Sequence, residues 1–80
     1  MKELIECIRC IAKGLVDDPD AVRVDLGESG DVIELRVAPG DLGKVIGKNG
    51  RTADALRVIL HAGAVKAGIS CRLDIMDEGE

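Results

Sequence analysis

Apolar residues recur along this chain at two periods, and the switches between them set the order of elements. From Glu3 to Val16, Leu4, Ile8, Ile11, Ala12 and Leu15 share one helical face, with Ile5 and Cys7 flanking it. Glu6, Arg9 and Lys13 point away. Gly14 weakens the last turn, and Asp17-Asp18-Pro19-Asp20 ends it, because proline cannot continue the helix and pushes Asp18 towards extended geometry. Strict alternation then appears twice. Val22, Val24 and Leu26 oppose Arg23 and Asp25 within 21–26, and Ile33, Leu35 and Val37 oppose Glu34 and Arg36 within 32–38. The glycine-containing stretch 27–31 between them predicts a hairpin. Each strand has one apolar and one charged face, as in a sheet covered on one side.

Pro39-Gly40 closes the second strand, and Asp41 is placed to N-cap a short helix through Ile46. A second helix is predicted from Arg51 to Lys66, with Ala53, Leu56, Ile59 and Leu60 facing the core and Gly68 at its C-terminal cap. Alternation returns in 69–75, with Cys71, Leu73 and Ile75 inward and Arg72 and Asp74 outward; 77–80 is an acidic, frayed tail. The predicted order is helix, strand, strand, helix, helix, strand: an α+β domain whose three-stranded sheet carries three helices on one face. Its other face is read as solvated charge pairs. Eighty residues make one domain, with its core at about 3–76.

Between the two later helical patterns stands Gly47-Lys48-Asn49-Gly50, a segment that breaks any helix, since glycine costs about 1 kcal/mol relative to alanine there. Both glycines accept positive φ, and Asn49 is among the few other residues that tolerate it. With no side chain at either glycine, another molecule's backbone can approach closely. The turn leads into a helix N-terminus, where unpaired N–H groups favour an anion. Lys48 stands at its tip, Lys44 one turn before and Arg51 just after. That arrangement suits phosphate. A nucleotide-binding P-loop is excluded by spacing, and Asn49 occupies the position where a magnesium-binding Ser or Thr is required.

Composition changes this picture in two respects. The chain contains no Phe, Tyr or Trp, so its core is aliphatic and nothing can stack on a base through an aromatic ring. The formal charge of −4 argues against nucleic acid at first sight, but the charge is unevenly placed. Between Gly43 and Lys66 five bases face one acid, whereas the remaining residues hold six bases and fourteen acids. A cationic segment inside an acidic molecule predicts modest, selective anion binding.

The N-terminus lacks the unbroken apolar stretch of a signal peptide, and no run approaches the ~18 residues of a membrane span, so a cytoplasmic protein is expected. Cys7 and Cys10 form a C-x-x-C pair, yet zinc would have to recruit Cys71 and His61, which lack ligand spacing. Reduced thiols, buried or half-buried, are expected, and no metal or cofactor. Ser29, Ser70 and Thr52 have no base at recognisable spacing, so no enzyme is expected.

Val45-Ile46-Gly47-Lys48-Asn49-Gly50 resembles the V-I-G-x-x-G signature of KH domains, and the element order resembles their bacterial, type II arrangement. A stand-alone domain of this length with "GKVIGKNGRT" is similar to the KhpA family of small bacterial RNA-binding proteins. The resemblance implies that Gly47, Lys48, Asn49 and Gly50 clamp the backbone of about four nucleotides of single-stranded RNA. Lys44 and Arg51 would steady the phosphates, with Thr52 bonding a phosphate or capping the helix. Bases would lie over Leu42, Val45 and Ile46. Arg57 either tracks the RNA backbone or pairs with acids, Lys66 balances a helix C-terminus, and His61 is a half-exposed helix residue. Ala53 departs from the family pattern, which has a large aliphatic residue there. The resemblance also implies a post-transcriptional regulator or RNA chaperone that pairs with itself or another KH protein. The alternative is an interaction module on the same scaffold, with little RNA affinity of its own.

Overall fold

The first amphipathic segment folds as α1, Lys2–Leu15, in a computed structural model that describes residues 2–77. Ile8 and Ala12 are buried, and Leu4, Ile5 and Ile11 pack at the margin of the core. Leu15 departs from the expected stripe and is exposed. The helix ends at this residue, and Val16 packs against the core in its place. A single 3-10 turn at Pro19–Ala21 reverses the chain, closed by Val22 N–H donating to the Pro19 carbonyl at 3.2 Å.

The two alternating segments form β1, Arg23–Leu26, and β2, Val32–Val37, paired antiparallel. The hairpin is tied by Gly27 N–H to the Val32 carbonyl at 2.7 Å. Leu26, expected inward, is exposed as the last residue of an edge strand, beside the hairpin turn. A 3-10 turn at Pro39–Asp41 leads into α2, Leu42–Ile46, and α3 follows at Arg51–Ala67. β3, Arg72–Asp77, lies parallel to β2, so the sheet is mixed, with order β1-β2-β3 and β2 central. Ile33, Leu35 and Val37 of β2 are fully buried, as a central strand under helices requires.

β3 starts and ends later than alternation alone suggests, because α3 consumes the residues before it. Gly68 takes a left-handed conformation, and the N–H groups of Gly68 and Ile69 return to the carbonyls of Val65 and Ala64. Ile69 and Ser70 therefore belong to the helix ending. At the other end Met76, beyond the predicted strand, and Asp77, expected in the acidic tail, pair with Arg36 and Val37. The rest of the expected tail, 78–80, lies outside the described residues.

α3 buries Ala53, Leu56, Leu60 and Ala64, one residue per turn, and leaves Ile59, an expected core residue, largely exposed on the flank. Gly63 gives α1 room: a methyl there would run into the Leu4 side chain, with Leu4 Cγ 3.6 Å away. Among the described residues no helix is long and apolar enough to cross a membrane.

Candidate nucleic-acid interface

The turn between α2 and α3 is built from backbone geometry. Gly47 ends α2 at φ +77° and ψ 171°, a combination essentially restricted to glycine, while its N–H donates to the Gly43 carbonyl at 2.9 Å. Asn49 (φ +57°) and Gly50 (φ +75°) follow in left-handed geometry, and Gly50 N–H closes the turn on the Gly47 carbonyl at 3.1 Å. The glycines serve different ends. A Cβ on Gly47 would lie 2.7 Å from Thr52 Cβ and 2.9 Å from its backbone nitrogen, so this glycine lets α3 fold back on the turn. A Cβ on Gly50 would meet nothing within 4 Å. Gly50 is a bare surface that an incoming backbone can approach.

α3 begins at Arg51 with no side-chain cap, leaving the N-terminal end of a 17-residue helix to favour an anion. Lys48 and Arg51 are exposed beside it, and neither has an ion-pair partner among the described residues. Thr52 makes no cap; it packs against Gly47.

Two expected contact residues do other work. Val45 is 0% exposed, packed in the core under the turn, so its side chain offers nothing to a base. Lys44 Nζ lies 3.3 Å from Asp17 and 3.6 Å from Asp41, and the Asp17 carboxylate, with Asp41 behind it, holds the ammonium above the ordinary lysine range. Its charge is committed within the protein. Leu42 and Ile46 remain partly exposed along α2.

Asp41 is the residue that sequence reasoning misjudged. It makes no cap for α2 and is only 4% exposed. Its carboxylate accepts the backbone N–H of Asp18 at 3.0 Å and of Asp17 at 3.3 Å, tying the end of α1 to the start of α2. Those partners stand 23 and 24 residues away, so no local pattern marks the contact.

Of the remaining candidates, Arg57 donates to the Leu73 carbonyl at 3.3 Å, pinning α3 to the open edge of β3 without an acid partner. His61 is exposed one turn further on, and Lys66 is exposed in the last turn of α3. Ala53 is buried. Cys7 and Cys10 are exposed on α1, while burial and the nearby Asp31 push the Cys71 thiol up. On the outer sheet face the expected charge pairs are replaced by rows of like charge. Asp25, Glu34 and Asp74 stand directly across from one another, as do Arg23 and Arg36; among the described residues the one ion pair on this face joins Arg36 to Glu34 within β2 at 3.3 Å.

A mixed three-stranded sheet under three helices, with a G-x-x-G turn between the last two, defines a KH-class domain, a non-enzymatic module. The chain belongs to the KhpA/KhpB KH-domain family, whose model matches residues 5–75. Among curated relatives, the RNA-binding protein KhpA of Halalkalibacterium halodurans is 53% identical over 79 residues, covering 96% of this chain and 100% of the relative. The protein of the same name from Clostridium perfringens is 53% identical over 68 residues, covering 82% and 87%. That of Mycobacterium tuberculosis strain H37Rv is 47% identical over 76 residues, covering 92% and 91%. No solved structure gives a significant match.

Proposed function

We propose that this chain binds single-stranded RNA without catalysis, seating backbone phosphates on Gly47–Gly50, and acts in the cytoplasm as a post-transcriptional regulator or RNA chaperone. The observation that carries this reading is the turn itself: an open Gly50, with Lys48 and Arg51 unpaired among the described residues at the uncapped start of α3. The relatives named RNA-binding protein KhpA support RNA as the ligand. The mixed sheet and element order support the type II arrangement. Ile46 and Leu42 offer aliphatic surface to bases, while Lys44 and Val45 act from behind, holding α2 in position.

The test compares the wild type with Lys48→Asp plus Asn49→Asp, both exposed positions, in a salt series with folding checked by circular dichroism. With ~2–3 phosphates neutralised, log affinity falls against log salt with a slope of about −1.4 to −2.1. The variant stays folded and loses binding. A folded variant that binds like the wild type removes the turn from the mechanism.

A second reading, self-association, is favoured by one specific observation. On the side of α3 away from the core, Val58 is 68% and Val65 64% exposed, and Ala55, Ala62 and Ile69 continue the same stripe. Two copies joined there would present two weak sites to one RNA, raising avidity through effective concentration. Sedimentation of the wild type beside Val58→Glu plus Val65→Glu checks this: a dimer in the first and a monomer in the second is the expected pair. A wild type that is monomeric at every concentration rules the interface out.

A further inference from the structure

The fold lays an exposed acid from the end of α1 onto a cation beside the turn. Lys44 precedes Lys48 by four residues, ~6 Å at helical rise, and its Nζ lies 3.3 Å from Asp17 and 3.6 Å from Asp41. We infer that Asp17 is an affinity-limiting residue, whose carboxylate occupies the Lys44 ammonium in the place an RNA phosphate would take. A cation next to the turn is thereby withheld from the strand. The inference rests on the reading of Gly47–Gly50 as the phosphate clamp.

Three features carry it. The first is a division of labour between the two acids. The buried Asp41 carboxylate already accepts the backbone N–H groups of Asp17 and Asp18, so it serves the fold. The Asp17 carboxylate has no such duty, and among the described residues Lys44 is its one partner. The structural contact of Asp17 is made by its backbone N–H, which a change of side chain leaves in place. The second feature is exposure. The side chains of Lys44 and Asp17 are 42% and 81% exposed, and an ion pair so open to water is weak and easily exchanged. The flexible four-carbon stem of a lysine lets a freed ammonium swing the one turn to a phosphate on Gly47–Gly50. The third is access. A Cβ on Gly43, the residue before Lys44, would meet nothing within 4 Å, so no side chain stands between Lys44 and a strand on that side. What a phosphate meets there is the Asp17 carboxylate, a like charge already in possession of the donor.

The test measures binding of a single-stranded RNA of about eight nucleotides in a salt series. The proteins are the wild type, Asp17→Asn, Asp18→Asn, and Asp17→Asn combined with Lys44→Gln, each checked for folding by circular dichroism. Asp18→Asn is the control for charge alone: it removes one carboxylate from the adjacent exposed position, which makes no ion pair among the described residues. Asp17→Asn is expected to tighten binding about three- to tenfold at low salt and to steepen the log–log salt slope by about 0.7, one further phosphate contact. Asp18→Asn leaves the slope where it is, and Lys44→Gln added to Asp17→Asn abolishes the steepening, as two coupled residues require. A merely structural Asp17 would lower the melting midpoint and move no slope. An unchanged slope in folded Asp17→Asn, an equal steepening in Asp18→Asn, or a steepening that survives Lys44→Gln overturns the inference. If Asp17→Asn fails to fold, the wild type answers through the side-chain resonances of Lys44. Resonances that stay in place at saturating RNA support the masking, and a shift there overturns it. The turn variant Lys48→Asp plus Asn49→Asp on the same RNA tests the clamp separately. Loss of binding supports the clamp, so that a failure at Asp17 then counts against the masking alone; retention overturns the clamp, and the inference with it.

Discussion

Replacing either glycine of the turn by alanine removes the same atoms' worth of freedom, yet the structure separates the two costs. At Gly50, φ +75° and ψ 13° is ordinary left-handed geometry with nothing within 4 Å of a new Cβ. Gly50→Ala therefore carries the conformational term alone, about 1–2 kcal/mol. At Gly47 the backbone sits in a region essentially closed to other residues, about 1–3 kcal/mol. The new methyl would also lie 2.7 Å from Thr52 Cβ and 2.9 Å from Thr52 N. The nitrogen belongs to the first turn of α3 and cannot swing aside, so relief requires moving the helix start, about a further 1–3 kcal/mol. Gly47→Ala is thus expected to cost ~2–6 kcal/mol, enough to unfold much of a domain this small. At ~4–8 °C per kcal/mol, the melting midpoint falls by about 5–15 °C for Gly50→Ala and by well over that for Gly47→Ala. Urea titration with circular dichroism reads both. Thr52→Gly placed on Gly47→Ala removes the Cβ contact but not the backbone one, so it recovers part of the loss and no more. Equal costs at the two positions, or full recovery with Thr52→Gly, refute the steric account of Gly47.

Asp41→Ala removes an acceptor from two backbone N–H groups and a carboxylate from Lys44. Because Asp17 and Asp18 are exposed, water replaces part of what is lost, leaving a cost of about 2–3 kcal/mol by urea unfolding, while Asp41→Asn, which keeps an acceptor, costs about half. For the thiols, the raised value of Cys71 means less thiolate at a given pH, so alkylation near pH 8 modifies Cys7 and Cys10 first and Cys71 last, as mass spectrometry of partly labelled protein will show. The same shift favours the neutral thiol in the folded state, so stability falls as pH rises above the ordinary 9.0 and levels off beyond the folded value; Cys71→Ala abolishes that fall.

The strand alternation and the helix period were legible because one face of every element is buried against the same core. Where the expectation failed, burial was set by something periodicity does not contain. Leu15 and Leu26 keep the phase of their elements but stand at element ends. Ile59 continues an aliphatic pattern that the packing of α3 narrows to one residue per turn. β3 is displaced because Gly68 and Ile69 are used to satisfy the last carbonyls of α3, a demand visible in the glycine but not in the alternation. In the turn, composition was enough to anticipate positive φ at Gly47, Asn49 and Gly50, since few residues tolerate it. Charge partners were not legible. Lys44 reads as a free cation beside a glycine turn until Asp17, 27 positions earlier, is brought to within 3.3 Å of it.

That commitment of Lys44 bears on how an acidic molecule directs a polyanion. With Lys44 paired to Asp17 and Asp41, the cations at the turn without an ion-pair partner among the described residues are Lys48 and Arg51. The outer sheet face is arranged differently. Asp25, Glu34 and Asp74 form a row across all three strands, and among the described residues only Glu34 of the three has an ion-pair partner. Like charges directly opposite in a sheet are destabilising, and alternation alone would be satisfied by any polar residues, so the row contributes nothing to folding. Its effect is local: along that row a phosphate meets three carboxylates, but Arg23, Arg36 and Arg72 share the same face of the strands, so these rows hold as many bases as acids. In a chain of net charge −4, the placement of charge then bears on an anion more than the total does: the outer sheet face balances its rows, while Lys48 and Arg51 at the turn have no ion-pair partner among the described residues.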